Sequence, residues 1–193
     1  MIPTPPLRVR NRLAEIILAA LDDAKARREL AALGAPGAAA PAWLEHDELA
    51  HGRLLRERAM SASAALAARS VGTRIRSRSD VLDAAATLFD AHLYFEVHEL
   101  LEPSWRDAQG SDREALQGLI QVAVGYQHLA NGNFAGARAL LEEGRGRLSG
   151  RKLDGIDLEA FGQAVASSLD QLLRFDWRAV PAFPRAGSGG AQR

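Results

Sequence analysis

Apolar residues recur at three- and four-residue spacing along most of the chain, and each such run predicts an amphipathic helix. Leu13, Ile16, Ile17, Ala20, Leu21 and Ala24 define a first helix over Leu7 to Leu33, which Gly34 and Pro36 end. The Gly-Ala-Pro stretch over 34–41 reads as a linker, and Trp43, Leu44, Leu54 and Leu55 mark a second helical segment reaching Ser70, with Gly52 as a bend. An Arg-rich connector spans Val71 to Ser79. Ser79 or Asp80 then caps a helix that carries Val81, Leu82, Ala85, Leu88 and Phe89 to about Asp90–His92.

A further helix is predicted over Leu93 to Arg106. Gly110 opens the next turn, and Ser111 with Glu114 has the spacing of a capping box for a helix over Asp112 to Ala130. Asn131-Gly132 turns the chain into a helix over Ala135 to Leu148, which Ser149-Gly150 breaks. Asp157 caps a last helix carrying Leu158, Phe161, Val165, Leu169, Leu172 and Leu173. No window of useful length alternates apolar and polar residues as a half-buried strand would, so the class is all-α: a helical bundle of stacked antiparallel hairpins. Three parts are expected: an N-terminal helical segment at 1–74, a bundle at 75–176, and a mostly disordered tail at 177–193, Gly- and Ser-rich from Arg185.

At an offset of about 40 residues, Tyr94 aligns with Phe134, Val97 with Ala137, and Leu100-Leu101-Glu102 with Leu140-Leu141-Glu142. This spacing resembles tetratricopeptide helices, although two units fall below the usual minimum for a solenoid.

Lys+Arg and Asp+Glu both total 24, so no overall field draws the chain to nucleic acid or to an anionic membrane. The run Ala14 to Leu21 is too short and too charged to span a bilayer. Arg69, Arg74, Arg76 and Arg78 form a local basic cluster that reads as a solvated connector. The chain has no cysteine, which excludes disulfides and thiolate metal sites, makes a reducing cytoplasm the natural compartment, and leaves His, Asp and Glu as the strong ligands.

The candidate chemistry lies in the helix after Leu93. At 100° per residue Glu102 falls about 40° from His98 and Trp105 about 20° on its other side, whereas Glu96 and Glu99 point elsewhere. His98 and Glu102 are therefore polar groups on an otherwise apolar face expected to turn inward, where both would need partners. Gln117, Gln121, Val124 and His128 make a second stripe on the next helix, able to face the first. One reading is a divalent-metal site, Zn, Fe or Mn, with His98, Glu102 and His128 as ligands, Gln121 orienting them, and Gln117 and Trp105 lining the pocket. With open positions such a metal activates water, as in a hydrolase. The other reading is a buried hydrogen-bond network that fixes helix register in a protein-interaction module, with Trp105 as plain core. The His98–Glu102 segment has glutamate where H-E-x-x-H needs its second histidine, so it is not a zinc-protease helix. Pro103 should kink or end the helix inside the motif. A second set, Asp47 and His51 with His46 and Glu48, has ligand spacing but reads as a solvated face.

The stretch from Tyr94 to Trp105, with Gln117-Gly118-Leu119-Ile120-Gln121 and Asn133-Phe134-Ala135-Gly136-Ala137, resembles the bacterial and archaeal family called domain of unknown function 309, over about Asp80 to Leu148. The resemblance implies a small helical bundle whose H-x-x-x-E-x-x-[WY] motif, met by His98, Glu102 and Trp105, is suspected of binding metal. Pro103 inside that motif is a departure that puts the placement of Trp105 in question. Partner or substrate, small molecule or protein, is not specified by it.

Overall fold

A computed structural model describes residues 6–70, 75–169, 172 and 175–186. Clustering of contacts divides the chain into two compact units, Ile2–Ile75 and Arg76–Arg193. The architecture is all-helical apart from one very short two-stranded ladder.

In the first unit the expected long helix is two: α1 (Leu7–Ala19) and α2 (Ala24–Gly34). The break follows from Asp23, whose carboxylate accepts the Ala26 amide at 2.8 Å and so starts a new helix. A 3₁₀ turn, His46–His51, leads into α3 (Gly52–Leu66). Leu13, Ile17, Leu21, Leu30, Leu55 and Leu66 are buried in the core of this unit. Gly34 lets α2 approach α3 closely, since a Cβ there would lie 2.8 Å from the Met60 amide nitrogen. Arg27 donates to the carbonyls of Ala20, Leu66 and Arg69 at 2.8 to 3.0 Å, tying the ends of α1 and α3 together.

The second unit holds α4 (Arg78–Asp90), α5 (Tyr94–Asp107), α6 (Gly110–Ala130), α7 (Phe134–Leu148) and α8 (Glu159–Leu169), each packed on the next. Ser77 rather than Ser79 caps α4, in a reciprocal box with Asp80. Because α6 begins at Gly110, the Ser111–Glu114 pair falls inside its first turn and not at its cap. Asn133 caps α7 through the Gly136 amide, and Asp157, the expected cap of the last helix, accepts the first amide of α8. Between α7 and α8 an unexpected hairpin pairs β1 (Lys152–Leu153) with β2 (Ile156–Asp157). Its two turn residues, Asp154 and Gly155, both have positive φ, 47° and 79°, which the Asp-Gly pair tolerates.

α6 and α7 approach most closely where side chains are missing. A Cβ on Gly144 would meet the Gly118 carbonyl at 3.0 Å and the Val122 amide at 3.1 Å, and one on Gly125 would meet Leu141. Of the positions aligned at the repeat offset, Val97 and Ala137 are both buried, as are Leu101 and Leu141, but Tyr94 is buried and Phe134 exposed. One end of the unit is closed by rings: Phe89 packs on Tyr94, Tyr126, Phe161 and Phe183 at 5.1 to 5.8 Å.

The expectation of a disordered tail from 177 does not hold for 177–186. Trp177–Ala179 form a 3₁₀ turn, Trp177 stacks near Tyr94, and Phe183 is buried. Asp90 fastens this segment by accepting the Phe183 amide at 2.9 Å and pairing with Arg185 at 2.6 Å. Apolar contact and the Asp90 carboxylate outweigh the low-complexity composition nearby. Residues 187–193, like Leu173 and Arg74, lie outside the described residues.

Two outcomes are expected. Gly144→Ala should lower the melting temperature, because backbone atoms meet the added methyl and overpacking costs about 1–3 kcal/mol. Gly146→Ala, with open space around it, should raise the melting temperature through a helix-propensity gain of up to about 1 kcal/mol. The second concerns His92, half-buried against Tyr94 and Trp177, where burial holds the imidazole pKa below its ordinary value. The folded state therefore resists protonation, so stability should fall as pH drops through about 6.5 toward the folded value and level off below it. His92→Asn, which accepts the positive φ of 61°, should flatten that part of the profile in denaturant titrations between about pH 8 and pH 5.

Candidate metal centre

Tyr94, Val97 and Leu101 are buried and fix the rotation of α5 against the core. That rotation brings His98, Glu99 and Glu102 to the rim and not to the interior, with side chains 31%, 37% and 30% exposed. The buried carboxylate of α5 is Glu96, at 1% exposure. Among the described residues, His98, Glu99 and Glu102 are the one group of three such side chains whose ligand atoms all lie within 4.8 Å of one another.

Helical spacing accounts for the trio. His98 and Glu99 precede Glu102 by four and three residues, which puts them about 40° and 60° to either side of it. His98 Nδ1 lies 3.3 Å from Glu99 Oε1. Two ligands each about 2.1 Å from a tetrahedral ion stand about 3.4 Å apart, so this pair is already spaced for a shared cation. A ligand atom of Glu102 lies within 4.8 Å of both, inside the reach of a carboxylate rotamer change. The Phe95 ring packs 6.3 Å from the His98 imidazole and walls that side. Arg106 Nη2 donates to Glu102 Oε1 at 2.7 Å from one turn further along.

The residues expected to complete the site from α6 are elsewhere. His128 stands near the end of α6, where its Nδ1 is 2.7 Å from Asn133 Nδ2, and it takes no part in the α5 trio. Gln121 is buried on the α7 side, bonded to Glu143, whose carboxyl Arg147 and then Gln121 hold below its usual pKa. Gln117 is half-buried on α6. The two polar stripes diverge because α6 lies between α5 and α7 and turns Gln121 toward the latter. Glu99, and not His128, is the third side chain of ligand type that gathers with His98 and Glu102. Its i, i+3 relation to Glu102 was the available signal, masked by treating its 60° offset as a different face.

Around the first unit's set, Glu48 is paired with Arg8 and caps the Glu45 turn, and His46, Asp47 and His51 do not gather with it as a ligand group. In the basic connector Arg78 pairs with Asp112 and Asp154 at 2.8 and 2.7 Å.

Pro103 does not end α5, which runs four residues further to Asp107. Proline has no amide to donate to Glu99, and the last turn is held from outside. Arg113 on α6 donates to the carbonyls of Trp105 at 2.9 Å and Arg106 at 3.2 Å, and its guanidinium lies 4.1 Å from the Trp105 ring centre. Trp105 is thus half-buried under a cation and is neither plain core nor an open pocket wall.

Residues 82–140 match the family described as Domain of unknown function (DUF309), a span that includes α5, α6 and every residue of the trio. No curated protein and no solved structure matches the chain. No helix among the described residues is long and apolar enough to cross a membrane.

Arg113→Ala should cost about 1–2 kcal/mol in thermal unfolding, through loss of the carbonyl caps and of the cation–ring contact. Arg113→Lys should recover little of it, since a lysine ammonium cannot stack as a planar fork.

Proposed function

With a domain of unknown function 309 in its second unit, the chain is one for which we propose divalent-metal binding through His98, Glu99 and Glu102 of α5. The observation that carries this reading is the spacing of one imidazole and two carboxylates on the rim of a single helix, where a cation can reach them. The donor set, one nitrogen and two carboxylate groups with no sulfur, suits Zn, Fe or Mn. Arg106 holds one oxygen of Glu102 and orients that carboxylate, as hydrogen-bonded ligands commonly are. Three protein ligands leave open positions, and a metal so held would supply the activated water of a hydrolase.

The interaction-module reading required His98 and Glu102 as a buried polar network. Their exposure of about a third favours a site open to solutes instead.

Elemental analysis of the untagged protein after reconstitution should find close to one metal per chain in the wild type. His98→Ala, Glu99→Ala and Glu102→Ala should each lose most of it, and His128→Ala should keep it. Loss in His128→Ala with retention in Glu99→Ala would overturn this ligand set, and no metal in the wild type would overturn the reading itself.

A further inference from the structure

The centre's surroundings carry an unbalanced charge. Glu99 and Glu102 bring two negative charges, a neutral His98 ligand none and a divalent cation two positive, so the loaded trio is neutral and Arg106 adds one positive charge beside it. The Arg106 side chain is 65% exposed, and its guanidinium offers five donors, of which Glu102 engages one edge. A cation on Glu102 would leave Arg106 on that carboxylate through Nη2, with the other donors of the exposed guanidinium open to a solute. The C-terminal end of α5 would oppose an anion with its partial negative charge. Arg113 offsets that field, because its donors already cover the Trp105 and Arg106 carbonyls.

We propose that the centre is an oxyanion site: the metal and Arg106 together take the phosphate or carboxylate group of a small molecule. The inference rests on the metal-binding reading above. Arginine meets both groups with paired donors, and an open metal position takes a hard anionic oxygen. A cationic ligand meets a net positive centre and is disfavoured.

The test uses the full chain, with Mn²⁺ as metal and inorganic phosphate and acetate as separate probes. Mn²⁺ binding is measured first, alone, by electron paramagnetic resonance, and anion binding to the loaded protein by calorimetry. Loaded wild type should bind phosphate, acetate or both at least about tenfold more tightly than loaded Arg106→Gln, a difference of about 1.4 kcal/mol. Both proteins are compared at saturating Mn²⁺, so that any change of metal affinity in the variant stays out of the anion comparison, and metal-free wild type should bind either anion weakly. Preference between the two probes assigns the class. Equal anion affinity in wild type and Arg106→Gln, or equal affinity with and without Mn²⁺, overturns the proposal while leaving metal binding standing. Failure of the wild type to bind Mn²⁺ by paramagnetic resonance and Zn²⁺ by calorimetry overturns the metal-binding reading, and this proposal with it. Melting curves confirm that Arg106→Gln, exposed and on the helix surface, is folded.

Discussion

The second unit depends on how closely two helices can lie. α6 is packed on both sides, by α5 and by α7, and it can serve two neighbours because glycine at 118, 125 and 144 removes the side chains that would hold α7 away. Glycine within a helix weakens it locally, so this geometry costs intrinsic helix stability and returns it as contact between backbones. Once α7 is seated, the other side of α6 presents Leu116, Leu119 and Tyr126, all buried in the core that receives Tyr94, Val97 and Leu101 of α5. The orientation of the candidate ligands thus follows from packing on the far side of the neighbouring helix.

Much of this order was legible in the periodicity of apolar positions, which located every helix of the second unit to within a few residues. The failures share a physical cause. Asp22-Asp23 lies inside the apolar pattern that predicts one helix over Leu7 to Leu33, yet Asp23 can cap, and a cap ends one helix as surely as it starts another. Ser111 and Glu114 had the spacing of a capping box but lost to a start at Gly110, whereas Ser77 and Asp80 made the real one. The Asp154-Gly155 hairpin is too short for alternation to reveal, although its turn pair was in plain view. At 177–186 the neighbouring glycines suggest disorder, but Trp177 and Phe183 have apolar surface to bury.

The candidate site was legible as a helix and only partly as a constellation. Helical geometry placed His98 with Glu102 correctly, but it says nothing of which way the next helix turns, so His128 and Gln121 were assigned to a face they do not share. Periodicity also treats a residue as a direction, whereas a glutamate side chain has the reach to cross a 60° offset. Glu99 enters for that reason. Burial was inverted as well: the carboxylate that goes inside is Glu96, in the first turn of α5, while Glu102 stays where solutes meet it.

The arrangement at Pro103 bears on how α5 moves. Helix ends ordinarily fray, opening turn by turn at little free energy and exchanging their amide hydrogens quickly. The last turn of α5 contains a proline and is held by Arg113, whose own backbone belongs to α6. Opening that turn must break contacts to a helix packed on both sides, so the end of α5 and the start of α6 should open as one cooperative unit. Glu102, less than two turns from that terminus, therefore inherits the slow exchange of the core.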